Sequence, residues 1–281
     1  MKKLNLILSL FVLCTIYAQD KEYSYPLKGI KKVQIKSNAS IKVTSAETKN
    51  LIMSCMKHTG CEECNNEHDH DNVHWSIRGK RSERKERRKD KRAGLTPIYP
   101  GGKDDTNGFG FSIIKEGSTL IIEDLKSHLQ ANNVQLELPK NIDLSVDSGN
   151  LGGITIAGFS SEVEVESNVG SIDMVDVTGP ITAHSSTGPI NIDFIKVNQS
   201  SPITVSSSVG EIDVSLPSNT NANLDIKTNG TVYTNFNLKQ PNKKDLPQVS
   251  GNRKIVSPIN KGGVKIKLKS SMGNIYLRKK E

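Results

Sequence analysis

Residues 163–216 read VEVESNVGSIDMVDVTGPITAHSSTGPINIDFIKVNQSSPITVSSSVGEIDVSL, and their rhythm decides the fold. Apolar and polar residues alternate in short runs, as at Ile172/Met174, Ile190/Ile192/Phe194 and Ile212/Val214/Leu216. Each run ends in a Ser, Asn or Thr word that closes on glycine: Ser167-Asn-Val-Gly, Ser185-Ser-Thr-Gly, Ser206-Ser-Ser-Val-Gly. The same words stand outside this stretch at Asp147-Ser-Gly and Thr228-Asn-Gly, so that Gly149, Gly170, Gly188, Gly210 and Gly230 are spaced by 21, 18, 22 and 20 residues. Gly158 and Gly179 fall near the half period.

Alternation with a period of two puts the Ile and Val side chains on one face of a strand and Asp, Ser, Thr and Glu on the other. Two strands of about five residues and two turns make a unit of about twenty, which cannot bury its apolar face alone and must stack on its neighbours. The expected fold is therefore all-β, a β-solenoid (β-helix-like) of stacked short strands with about twenty residues per turn. An antiparallel sandwich also shows short alternating strands. The glycine phase and the near-identical words favour the solenoid.

The pattern extends in both directions. Lys32–Ser37, Ser40–Thr44 and Asn50–Cys55 read as strands, as do Phe109–Ile114, Thr119–Glu123 and Val134–Leu138, the last stopping at Pro139. A closing unit runs through Gly263–Leu268, Ser270–Gly273 and Asn274–Leu277. Between them, Leu238–Asn260 reads as a loop excursion, with Pro241 and Pro247 blocking ladder pairing. Residues 56–107 break the alternation and read as one irregular insertion, since loops of this length inside a domain are functional or disordered.

Lys2 and Lys3, the apolar Leu4–Ile16 and Ala18 before Gln19 have the form of a secretory signal peptide. The reading is thus a signal peptide at 1–18 and a single β-strand-repeat domain at 19–281, exported to the periplasm, the cell surface or the medium. Cys14 offers lipidation as an alternative, but Leu13 before it is larger than such signals carry. No other stretch is long and apolar enough to span a membrane as a helix.

The net charge of +8 is local: Arg78–Arg92 alone carries ten basic and three acidic residues. Removing that +7 and the two leader lysines from +8 leaves −1 for the remainder. The basic run suits an anionic polymer, lipopolysaccharide or nucleic acid by charge, against a plain solvated segment. Apart from Trp75 it has no interleaved aromatics for stacking on bases, so nucleic acid is not expected as a partner.

The cadence Ser167-Asn-Val-Gly-Ser-Ile172, repeated at Ser206–Val214 and Ser270–Leu277, together with the Leu138-Pro139 step, resembles the bacterial β-strand-repeat "putative adhesin" family, related to head-GIN domain proteins. The likeness covers about Lys31–Asn50 and Gly108–Lys279. It implies a β-solenoid in the periplasm or on the surface and carries no functional residues over. The insertion departs from it.

Cys55, His58, Cys61, Cys64, His68, His70 and His74 crowd into twenty residues. Cys61, Cys64, His68 and His70 can supply four ligands to zinc or copper, with Cys55, His58 and His74 as spares. The competing reading is a disulfide from Cys55 to Cys61 or Cys64, since exported thiols oxidise. A thioredoxin-like redox role lacks its βαβ context. Asp173, Asp193 and Asp213 share the outward phase and suggest a ladder along one face, for calcium or sugar or simply for solubility and protection from edge pairing. His184 stands alone. There is no nucleophile elbow, phosphate loop or Rossmann pattern. The expectation is a non-enzymatic, adhesin-like envelope or surface scaffold without a required cofactor; the alternative is an envelope metal-binding protein centred on the insertion.

Overall fold

The computed structural model describes residues 22–56, 98–99, 102–105, 107–126, 133–238 and 253–281. In chain order the strands are β1 (Glu22–Pro26), β2 (Lys32–Lys36), β3 (Ile41–Ser45), β4 (Asn50–Cys55), β5 (Phe111–Glu116), β6 (Thr119–Asp124) and β7 (Val134–Leu138). There follow β8 (Asp143–Asp147), β9 (Ile154–Ala157), β10 (Val163–Val169), β11 (Ile172–Val177), β12 (Ile181–Thr187), β13 (Ile190–Phe194) and β14 (Ile203–Ser207). The last are β15 (Ile212–Pro217), β16 (Ala222–Thr228), β17 (Val232–Thr234), β18 (Arg253–Ile259), β19 (Val264–Ser270) and β20 (Ile275–Lys280).

These strands form two sheets of ten. The front sheet runs β1-β4-β7-β3-β9-β11-β13-β15-β20-β17 and the back sheet β18-β16-β19-β14-β12-β10-β8-β2-β6-β5. From β8 to β17 the chain alternates between back and front, so each coil gives one strand to each sheet. Successive coils pair in parallel and in register: Ile172 lies opposite Ile154 and Ile190, and Ile212 opposite Ile190 and Ile275. Inward positions are buried Ile, Val and Leu, such as Val163, Ile172, Ile190, Ile203 and Val214, each fully shielded from solvent. The β-solenoid expected from the alternation is the observed fold, and the parallel pairing excludes the sandwich.

The order of coils in space is not their order in the chain. The coil β2–β3 sits between β6–β7 and β8–β9, and the last coil, β19–β20, sits between β14–β15 and β16–β17. Antiparallel strands cap both sheets at one end, β4 on β7, β1 on β4 and β5 on β6, and the back sheet at the other, β18 on β16. Among the described residues the front sheet ends there on β17, an edge strand parallel to β20, so three of the four parallel edges are covered. Leu238–Asn260 was expected to be a loop, yet Arg253–Ile259 is a strand. Pro258 is accommodated because β18 is an edge strand.

At the back-to-front corner the coils stack backbone on backbone. A Cβ on Gly152 would lie 2.2 Å from the carbonyl oxygen of Ala39, on Gly170 2.4 Å from that of Gly152, and on Gly188 2.1 Å from that of Gly170. The column continues with Gly210 at 1.7 Å from Gly188 O, Gly273 at 2.1 Å from Gly210 O and Gly230 at 2.6 Å from Gly273 O. No side chain fits at such distances, so close backbone approach explains the glycine period. The period singled out Gly149, but the column member is Gly152; Gly149 occupies a left-handed turn at φ +56°.

Buried hydroxyls line the inside of this corner. Ser148 Oγ donates to Gly152 O (2.8 Å), Ser270 Oγ to Gly210 O (3.0 Å) and Thr228 Oγ1 to Gly273 O (2.7 Å). In return the Gly210, Gly230 and Gly273 amides donate to Ser207, Thr228 and Ser270. Ser148, Ser207, Thr228 and Ser270 thus satisfy backbone groups at the corner, whereas the buried hydroxyls of Ser167 and Ser185 in the middle coils have no hydrogen-bond partner among the described residues.

The intercalated last coil yields a prediction. Deleting residues 263–281 removes the buried side chains of Ile266, Leu268, Ile275 and Leu277. Each contributes about 1.5–3 kcal/mol on burial, against a total stability of about 5–15 kcal/mol for a domain. The truncated chain should lose its cooperative thermal transition, followed by circular dichroism. An unchanged melting temperature would contradict the observed coil order.

Candidate binding face

The outer face of the front sheet carries one continuous row. Thr155, Asp173, Asn191, Asp213, Tyr276 and Tyr233 lie directly opposite one another on β9, β11, β13, β15, β20 and β17. At the usual strand spacing the row is about 24 Å long. Each member stands three residues after a column glycine: Gly152 precedes Thr155, Gly170 Asp173, Gly188 Asn191, Gly210 Asp213, Gly273 Tyr276 and Gly230 Tyr233. Locking the corner therefore locks the phase of the face.

The row ends in an aromatic pair. The Tyr233 and Tyr276 rings stack with centroids 5.2 Å apart and planes 10° apart. Tyr233 is 51% exposed on the edge strand β17, so one ring face is open to solvent. The Arg278 guanidinium lies 5.6 Å from the Tyr276 centroid and holds Asp213 with three hydrogen bonds, Nε to Oδ1 (2.8 Å) and Oδ2 (3.0 Å) and Nη2 to Oδ2 (2.7 Å). Hydrogen bonding to Asp213 raises the Arg278 pKa, with the carboxylate charge adding to it. The Tyr276 hydroxyl and the Asn274 amide donate to Glu211 Oε1 at 3.3 and 3.1 Å. Further along, Asn191 Nδ2 (2.6 Å) and Ser171 Oγ (2.7 Å) donate to Asp173.

This is a preorganised polar surface with an aromatic end. Stacked tyrosine rings offer a flat apolar face with a polar rim, the shape complement of a sugar ring. Ordered carboxylate and amide oxygens beside it can accept pairs of hydroxyl donors. Of the three aspartates expected to form a ladder, Asp173 and Asp213 share the row, separated by Asn191. Asp193 does not: it lies one row over, opposite Ser215, paired with Lys280. The tyrosines were not anticipated from sequence, although their position after the repeat glycines marks them.

A second feature is a shallow cleft of about 140 Å³ lined by Lys36, Ser37, Asn38, Glu123, Asp124, Asp147 and Gly149. Asp124 accepts from Ser37 Oγ (3.1 Å), Lys126 N (2.9 Å) and Asn38 N (3.4 Å). Burial nonetheless pushes its pKa up from 3.8, these hydrogen bonds opposing the shift. Among the described residues no three His, Cys, Asp or Glu side chains are placed to hold a metal.

Cys55 closes β4, half-buried opposite Val134. His58, Cys61, Cys64, His68, His70, His74 and Arg78–Arg92 lie outside the described residues. His184 is a strand residue on the back sheet, its Nδ1 2.9 Å from Ser206 Oγ. No helix among the described residues is long and apolar enough to cross a membrane.

Residues 105–278, more than half of the chain, match the family described as Toastrack DUF4097. The chain belongs to the Toastrack DUF4097 family. The match spans β5 to β20 and so includes the glycine column from Gly152 onward and the whole front-sheet row. The relation to head-GIN proteins has no support beyond the sequence resemblance. No curated protein matches the chain. Among solved structures, a "putative cell adhesion protein" from Clostridium sporogenes ATCC 15579 aligns at 13% identity and a TM-score of 0.40, covering 93% of this chain and 100% of its own.

The Asp124 environment gives a pH prediction. Because its folded pKa is raised, the native state binds this proton more tightly than the unfolded chain. Its contribution to stability is present at low pH and is lost as pH rises above the ordinary value of 3.8. Asp124→Asn should therefore gain stability relative to the wild type as pH rises through that window, measured by urea unfolding. A difference that is flat with pH would contradict the buried-carboxylate account.

Proposed function

We propose that this protein is a non-enzymatic scaffold exported to the cell envelope or surface, adhesin-like, whose front-sheet face binds polysaccharide. The observation that carries the reading is the half-exposed Tyr233–Tyr276 stack at the end of a six-rung polar row. A glycan can stack one ring on the open face of Tyr233 at the sheet edge and offer hydroxyls to the tyrosine rims and to the rungs beside them. The carboxylates of the face favour binding over catalysis, because Asp213 is held by Arg278 and Asp193 by Lys280. The leader-like Lys2–Ala18 segment supports export.

Purified mature protein should bind at least one envelope polysaccharide on an array. Tyr233→Ala/Tyr276→Ala should weaken that binding more than about tenfold, the loss of about 1.4 kcal/mol or more. The melting temperature should change little, since the rings sit on the outer face. Absence of binding to every envelope polysaccharide, or equal binding by the variant, would sink this reading.

The density of thiol and imidazole ligands at Cys61, Cys64, His68 and His70, with Cys55, His58 and His74 nearby, supports a second role for residues 56–107 in holding zinc or copper. Metal analysis of protein purified under reducing conditions should then give one equivalent of zinc or copper. A metal-free protein, or a disulfide among these cysteines, contradicts it.

A further inference from the structure

The outer face of the back sheet is divided by charge. On β19, β16 and β18 the register places Lys269, Lys227 and Lys254 opposite one another on three adjacent strands. The next row holds Lys267, Asp225 and Val256, and the one after it Lys265, Asn223 and Pro258. Five lysines thus surround a single carboxylate. Asp225 lies 3.5 Å from Lys265 and 3.9 Å from Lys254. Lys227, Lys267 and Lys269 form no ion pair among the described residues. Farther along the same face the outward residues of β8 and β10 include four acids, Asp143, Asp147, Glu164 and Glu166, with Lys32 at 2.6 Å from Glu164.

Like charges directly opposite on neighbouring strands destabilise a sheet, so the Lys269–Lys227–Lys254 row opposes the fold that carries it. We propose that these three strands form a docking site for an anionic polysaccharide, one bearing a carboxylate on each sugar. The row sets cations at steps of about 4.8 Å across the strands, and a residue of an extended pyranose chain is about as long as one such step. A uronate chain laid across β19, β16 and β18 therefore has a sugar over each lysine, and each carboxylate that the chain turns toward the sheet meets an ammonium. Val256, 65% exposed, gives its rings an apolar contact beside the charges. Flexible lysine heads tolerate small mismatches between the two periods. The site is on the opposite sheet from Tyr233 and Tyr276 and does not rest on the reading of the front face.

The test uses the mature chain with a short oligogalacturonate as probe and a neutral maltooligosaccharide, polyglutamate and an oligonucleotide as comparisons. The wild type should bind oligogalacturonate, more weakly as salt rises, and the neutral sugar not at this site. Lys227→Ser/Lys254→Ser/Lys269→Ser should weaken that binding at least about tenfold, as expected for three lost contacts of modest strength. Lys115→Ser on β5, at the far end of the back sheet, should leave it unchanged. The triple variant should melt at or above the wild-type temperature, because repulsion is relieved. Three results would overturn the proposal: no oligogalacturonate binding, equally tight binding of polyglutamate or the oligonucleotide, or sedimentation showing that the lysine variant dissociates a dimer formed through the acidic half of a second copy.

Discussion

At one corner of the solenoid, the peptide of each coil rests against the carbonyl oxygen of the next with no room for a Cβ. That contact runs unbroken from Ala39 through Gly152, Gly170, Gly188, Gly210 and Gly273 to Gly230. It fixes where each back strand ends and each front strand begins. Inward Ile and Val then fall in register from coil to coil, and outward residues fall into straight rows. At Ser148, Ser207, Thr228 and Ser270 a buried hydroxyl adds a bond to a glycine carbonyl or amide. The corner is thus a close-packed backbone seam, with hydroxyl bonds added at four of its residues.

The same seam explains how a coil from the chain terminus can enter the middle of the stack. Gly273 meets Gly210 on one side and Gly230 on the other, as any interior coil would. Its strands pair in parallel with both neighbours, Ile266 with Ile203 and Leu224, Ile275 with Ile212 and Val232. Repeats with one backbone shape are interchangeable in space. Sequential order is therefore not enforced by the coils, and the antiparallel caps β4, β5 and β18 decide which coils lie at the ends.

Much of this was legible in the chain, for definite reasons. Alternation marks strands because one face is fully buried, and glycine marks the corner because no other residue fits. Assigning Gly149 to the corner failed because Gly149, Gly152 and Gly153 all stand within one turn, and only the distance to Ala39 O separates them. The non-sequential coil order was unreadable because every coil obeys the same alternation. Strand β18 was hidden by Pro258, which only an edge position tolerates. The tyrosine pair joins residues 43 apart in the chain, and it becomes visible only when each is counted from its own column glycine. The Cys/His and basic clusters stood out in sequence and, Cys55 apart, lie outside the described residues.

The account turns on the glycine column, and paired alanine substitutions probe it directly. A Cβ on Gly210 would lie 1.7 Å from Gly188 O, whereas one on Gly153 meets nothing nearer than 3.7 Å. Urea unfolding of Gly210→Ala and Gly153→Ala should therefore diverge. Gly210→Ala should lose about 3 kcal/mol or more, at the upper end for overpacking, and Gly153→Ala should stay within about 1 kcal/mol of wild type. Equal effects of the two substitutions would contradict the backbone seam as the constraint on which the stack depends.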